Sequence, residues 1–383
     1  MRALVFALAL LPLGGAAVSA APVVPHFGIL PSGPLDGITD VAGVRVAHLT
    51  KIEGASVRTG ATAVASNNDP WNHMVSAAAE TLNGNGAMTN TQWVNESGHL
   101  EAPVVLTDTL DIGRAYDGVV GWMLRRYPRI GLTDDVPLPV VAECDDQGLT
   151  DERLRSVTPN DVMGLLDRTQ TGQFARGSVG AGTGMRAFGF KAGIGSASRV
   201  LPASMHGYTV GVLVNDNTDG SHRLLNVYGV PVGERLKNEY QPVYPKRTAG
   251  IRLGGRAADG SIIVLVATDA PLSSLQLHAL AKRAELGMAR TGLISHSGSG
   301  DLFLAFSTTY VYTRVADFDV RAPKVAFVDD EDTINTLYLA AVEATQAAIY
   351  DALFSAKTMS GNGLTVYGLP VDRVRAWLDA AKQ

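Results

Sequence analysis

A single cysteine, Cys144, leaves no partner for an intramolecular disulfide and no multi-cysteine metal site, so the stability of this chain has to come from a buried core. Charge is sparse too. Only 18% of the 383 residues are charged, with 32 Lys and Arg against 37 Asp and Glu, a formal net charge of −5 and no basic block. Nothing there neutralises a phosphate backbone, so nucleic acid is not an expected partner. No segment reaches the ~20 consecutive apolar residues that a membrane-spanning helix requires. None of the eight histidines falls in HExxH spacing, which removes the usual zinc-hydrolase pattern, and no GxSxG elbow is present. Fixed-period repeats, low-complexity tracts and Pro/Ser-rich linkers are also missing. With 46% hydrophobic residues, a largely disordered chain is excluded.

The start of the chain carries Arg2, an apolar stretch over 3–13, and Val18-Ser19-Ala20 before Ala21. A charged start, a short apolar region and a small-x-small site make an export signal over residues 1–20. The expectation is an exported, periplasmic or secreted protein beginning near Ala21, with no membrane attachment after signal removal. Residues 139–142 (PVVA), 208–214 (YTVGVLV), 261–267 (SIIVLVA) and 302–306 (LFLAF) read as buried strands. A helix is predicted from the N-cap Ser273 to the stop at Gly292, and a second after the acidic run 329–332, with Tyr338, Val342, Ile349 and Leu353 along one face. The mixture predicts an α/β protein in which sheets are covered by helices.

The 41 glycines cluster. Residues 177–184 (GSVGAGTG) match neither the phosphate loop nor the dinucleotide fingerprint, and read best as close backbone packing. Cys144 reads as a small core residue rather than a nucleophile. Glu143, Asp145 and Asp146 follow an apolar strand; alone they read as a solvated acidic turn, but a carboxylate there that faces a pocket mouth would hold a substrate ammonium group. Ser299 and Asp301, two residues apart, would share one side of the strand and one hydrogen-bond network if that strand starts early; by itself the segment is equally a polar turn. Asp259-Gly260-Ser261 is ordinary turn chemistry on its own. Its other reading is a processing site: a serine opening a buried strand attacks its own preceding carbonyl. The cleaved chain then starts with a hydroxyl nucleophile and an α-amine base on one residue.

These residues resemble the self-processing serine aminopeptidases that include the β-peptidyl aminopeptidases and the L-aminopeptidase/D-esterases. The resemblance runs through 37–48 (GITDVAGVRVAH), 82–86 (LNGNG), 96–109 (ESGHLEAPVVLTDT), 190–199 (FKAGIGSASR), 262–272 (IIVLVATDAPL), 287–292 (GMARTG) and 298–308 (GSGDLFLAFST). It implies a four-layer αββα sandwich of α+β type, like the N-terminal-nucleophile hydrolases but with distinct connectivity. One peptidase domain would be self-cleaved between Gly260 and Ser261 into an α chain (21–260) and a β chain (261–383). It implies Ser261 as nucleophile, Ser299 and Asp301 as the groups that position the amine and relay protons, and Asn217 as the oxyanion donor, with Asn215 as its alternative. Glu143 would hold the substrate amine. Asp145 stands where some relatives carry an aromatic residue near the substrate. No metal and no cofactor are implied. The expected partners are small peptides, amides or esters with a free amino terminus, and further αβ units in a homo-oligomer. Two other readings compete. An acyltransferase resembling the ornithine acetyltransferases would start its new chain with threonine, and a non-catalytic exported binding protein would stay uncut.

Overall fold

Period-two alternation of apolar side chains builds two stacked sheets. The computed structural model describes residues 24–218, 220–244, 260–316 and 319–382. The expected leader (1–20) and residues 253–259 of the loop before Gly260 lie outside the described residues. The strands of the first half are β1 (Arg45–Glu53), β2 (Val57–Ala65), β3 (His73–Gly84), β4 (His99–Leu100), β5 (Val104–Thr107) and β6 (Val141–Glu143). A short hairpin, β7 (Arg186–Ala187) and β8 (Phe190–Lys191), precedes β9 (Ile194–Val200), β10 (Thr209–Asn217), β11 (Ser261–Thr268), β12 (Gly300–Ala316) and β13 (Asp319–Arg321). The helices are α1 (Thr91–Ser97), α2 (Ile112–Arg126), α3 (Pro159–Asp167), α4 (Val232–Leu236), α5 (Ser274–Ala289), α6 (Glu331–Ser355) and α7 (Val371–Ala381).

One sheet has the order β1-β2-β5-β6, the other β4-β3-β12-β11-β10-β9, with β13 on β12. Three hydrophobic layers hold them. Between the sheets, Val64, Leu106 and Ala142 meet Leu213, Ile263, Leu265, Leu304 and Phe306. Outside the second sheet, Ile262, Val264 and Val266 pack with Leu277 and Leu280 of α5 and Leu337 and Ala348 of α6. Outside the first, Val105 and Val141 pack with Val119 and Trp122 of α2 and Leu165 of α3. The order helix, sheet, sheet, helix is the αββα sandwich that the resemblance implies. Successive residues of β11 feed opposite cores, so this strand is buried on both faces and reads as an unbroken apolar run.

β11 and β12 pair in parallel, while β10 and β3 flank them antiparallel. A parallel pair needs a crossover, and α5 supplies it. Its N-cap is the predicted one: Ser273 accepts from Gln276 N, and Gln276 bonds back in a capping box. Gly292, at φ +101, follows its end.

Three expectations differ in extent. Pairing of the strand expected at 139–142 begins only at Val141, because Pro139 has no N–H to give the ladder; its carbonyl accepts from Thr89 Oγ1 and Asn90 Nδ2 instead. β12 continues to Ala316, well past the expected 306, as a partly exposed extension without a continuous apolar pattern. α6 is buried on nearly every side from Ala340 onward, rather than along one stripe, because it packs on β9 and β10 beside α5, and its end, with Tyr350, Leu353 and Phe354, is covered by Val232 and Leu236 of α4 and Val374 and Leu378 of α7.

Leu265→Ala, at the centre of the inter-sheet layer, should cost about 2–5 kcal/mol. Ser273→Ala should cost about 1 kcal/mol. Urea denaturation of the two variants checks the order.

Candidate active site

The parallel pair starts both its strands at one edge of the sheet, and the antiparallel neighbours end there. Register therefore sets four residues in one row: Asn217 opposite Ser261, Ser261 opposite Gly300, and Gly300 opposite Gly84. Ser261 is 8% exposed. The backbone N–H of Gly300 lies 3.3 Å from Ser261 Oγ and 3.3 Å from the carbonyl oxygen of Gly260. One donor thus faces both the hydroxyl and the carbonyl that the hydroxyl would attack. A side chain at Gly300 is impossible without movement, since a Cβ there would sit 2.5 Å from the carbonyl oxygen of Asn85.

Asn217 and Ser261 are direct cross-strand partners, so their side chains share the face toward the other sheet. The Asn217 amide is held at both ends: Oδ1 accepts from Arg186 N at 3.0 Å, and Nδ2 donates to the Asp145 carbonyl at 2.7 Å. These two bonds leave the second amide hydrogen of Nδ2 unused. Asn215 lies two residues deeper, opposite Ile263, and is fully buried. Of the two, only Asn217 adjoins the serine.

Asp301 falls on the other face of the strand, toward the helices, with Phe303 and Ala305. Ser299 donates from Oγ to Asp301 Oδ1 at 2.6 Å, confirming that the two share a network. They line a small open recess together with Gly260, Thr218, Ser295 and His296. Burial pushes the Asp301 carboxyl up, and hydrogen bonding by Ser299 opposes it. The serine hydroxyl and the Ser299–Asp301 pair thus flank the start of β11 from opposite faces.

Glu143 closes the site from the first sheet. It is 5% exposed; Ala87 N donates to Oε1 at 2.8 Å and Thr109 Oγ1 donates to Oε2. Gly86 brings the loop after β3 between Glu143 and Gly300: a Cβ at Gly86 would stand 3.3 Å from Glu143 Oε1 and 3.3 Å from Gly300 Cα. Asp145 is exposed beside it, and Asp146 is buried. Cys144 is wholly buried with its thiol pushed far up by burial, which suits the core reading and not a nucleophile. The glycines of 177–184 are close packing as expected; a Cβ at Gly182 would lie 2.3 Å from Ile194 N.

The model of peptidase family S58 matches residues 36–366. This chain belongs to that family. A β-peptidyl aminopeptidase BapA from Sphingosinicella microcystinivorans is 39% identical over 381 residues, covering 96% of this chain and 94% of that one. Among solved structures, a Burkholderia sp. β-aminopeptidase superposes with a TM-score of 0.81 at 36% identity, covering 93% of this chain and 96% of that one. The L-aminopeptidase D-Ala-esterase/amidase of Ochrobactrum anthropi, described as a prototype for the serine aminopeptidases and a new variant among the Ntn hydrolase fold, gives 0.81 at 36% identity, with 94% and 97% covered. The protein is a serine aminopeptidase of the S58 family, with the Ntn-like variant fold.

In this S58 peptidase, sequence reasoning missed the Gly300 N–H, the Ala87 N–H and the Thr109 hydroxyl. The first two are backbone groups and carry no side-chain signal. Thr109 sits inside the 96–109 motif, but its partner is 34 residues away.

Burial raises the Glu143 carboxyl, and the Thr109 hydroxyl is the largest influence opposing it. An ammonium ligand needs the carboxylate, so binding should improve as pH climbs through this value. Thr109→Val removes the opposing bond. The acid limb of kcat/KM should then move to higher pH; an unmoved limb removes Thr109 from this role.

Proposed function

We propose that the chain cuts itself between Gly260 and Ser261, and that the amine and hydroxyl of Ser261 then hydrolyse the terminal residue from short peptides, amides or esters. The observation that carries this reading is the row Asn217, Ser261, Gly300, with one N–H facing both the Ser261 hydroxyl and the Gly260 carbonyl. In maturation, Ser261 Oγ adds to the Gly260 carbonyl carbon, the C–N bond breaks as the nitrogen takes up a proton, and water hydrolyses the resulting ester. The products are a carboxylate on Gly260 and a free amine on Ser261.

In turnover the neutral amine takes the hydroxyl proton, Oγ attacks the substrate carbonyl, and the proton passes to the leaving amine. The Gly300 N–H and the free amide hydrogen of Asn217 stand where charge develops on the carbonyl oxygen. Glu143 holds the substrate ammonium, so the reacting carbonyl lies a fixed distance from the chain end and the enzyme removes residues from the terminus. An unperturbed terminal amine, pKa ~7.7–8.0, is only roughly a tenth neutral at pH 7, so activity should rise toward alkaline pH.

The names of the relatives support terminal β-amino acids as substrates, with small L-residues and D-residue amides or esters as the neighbouring class. Ser261 in place of threonine, and aminopeptidases rather than acyltransferases among the relatives, disfavour acyl transfer. We further propose export, through residues 1–20, and assembly of αβ units.

Ser261→Ala should run as one uncut band on a denaturing gel and show no peptidase activity; two pieces would move the cut elsewhere. Glu143→Gln should raise KM for substrates with a free amine while self-cleavage proceeds, and an unchanged KM would take Glu143 out of amine binding.

A further inference from the structure

Beyond Glu143 lies a group of carboxylates that the proposed reaction does not use; in the fold, Asp108 Oδ2 accepts from Leu110 N at 3.0 Å and Asp145 Oδ1 from Gln147 N at 2.6 Å. Asp108, Asp145 and Glu152 each present one oxygen such that all three atoms lie within 4.8 Å of one another. Among the described residues none of the three is ion-paired to a Lys, Arg or His. Asp146 lies behind them at 1% exposure, its N–H donating to Asp108 Oδ1 at 3.3 Å and neither of its own carboxylate oxygens hydrogen-bonded. Glu152 Oε1 is likewise buried without a partner. The buried ammonium of Lys191 does not serve them by hydrogen bonding; the carbonyls of Gly182, Met185 and Ala192 hold it. A solvated acidic turn would not bury Asp146 with both carboxylate oxygens unbonded, because such burial is costly unless the group takes up a proton or meets an opposite charge.

The group adjoins the reacting centre. Thr109, next to Asp108, donates to Glu143, and the Asp145 carbonyl accepts from the Asn217 amide. Asp145 is two residues from Glu143 and Asp108 one from Thr109, so the group borders the residue proposed to hold the substrate ammonium.

We propose that Asp108, Asp145 and Glu152 form a second cation subsite that selects substrates whose terminal residue carries a basic side chain, an ammonium or a guanidinium on a flexible stem. The inference rests on the aminopeptidase reading and sharpens it. Proton affinity in the recess agrees: burial, then Asp145, pushes Glu152 up to about 9, and burial pushes Asp108 up to about 6. The recess holds protons where a ligand cation would replace them.

The test compares p-nitroanilides of lysine, ε-acetyl-lysine and norleucine, and their β-homo counterparts, at low ionic strength. Lysyl substrates should exceed the two uncharged ones in kcat/KM by about tenfold, chiefly through KM, with the ratio narrowing as salt is added. Glu152→Gln should lower that ratio severalfold, and Asp145→Asn, which keeps the carbonyl that Asn217 uses, should do the same. Thermal melts and the band pattern on a gel verify that both variants fold. Cleavage of all three substrates at one rate overturns the inference and leaves the aminopeptidase reading standing. Calcium binding by calorimetry that Glu152→Gln abolishes, with no lysyl preference, assigns the group to a metal ion and also overturns it. A protein in two pieces that cleaves none of the amides sinks the aminopeptidase reading and this inference together.

Discussion

The register between β10, β11 and β12 is the constraint on which the rest depends. Ile262 through Ala267 fill two different cores in alternation, so a slip of one residue would turn every one of these side chains into the wrong layer. That burial fixes Ser261 at the sheet edge, opposite Asn217 on one side and Gly300 on the other. The reactive residue is placed by the packing of the six residues after it. A loop-borne nucleophile would need its own scaffold; here the core of the protein is the scaffold. The parallel pairing of β11 and β12, enforced by the α5 crossover, brings the Gly300 N–H to the same edge as the serine.

Electrostatics divide the site into two zones. Around Ser261 the groups are mostly dipoles, an N–H from Gly300 and an amide from Asn217, suited to a charge that appears only during reaction. Around Glu143 they are carboxylates, suited to a charge the substrate brings with it. Glu143 is oriented by two donors, Ala87 N and Thr109 Oγ1, which favour the ionised carboxylate against the effect of burial. The separation between the zones is set by the two sheets, through the Gly86 loop that packs between them. On the proposed reading, the restriction to chain termini follows from that rigid spacing.

The sequence made the strand at 261–267 legible because an unbroken β-branched run bounded by Gly and Asp has few alternatives, and the α5 boundaries because Ser273 and Gly292 carry local chemistry. Ser299 and Asp301 were legible as a pair since alternation is a short-range rule. The choice between Asn215 and Asn217 was not: both lie on the same face, and only pairing with a distant strand separates them. Thr109, Ala87 and Glu152 reach the site through contacts across many residues, and the Gly300 N–H has no side chain to read. The helix after 329–332 was legible, but its burial on nearly every side was not. A helix buried on all sides has no apolar stripe, so periodicity understates its role.

The central claim is that one peptide bond opens to create the nucleophile's amine. N-terminal sequencing of the smaller fragment from an active preparation tests it most directly. The account predicts Ser-Ile-Ile-Val, the residues from Ser261 onward. Any other terminus, or an active protein that is still one chain, would contradict it.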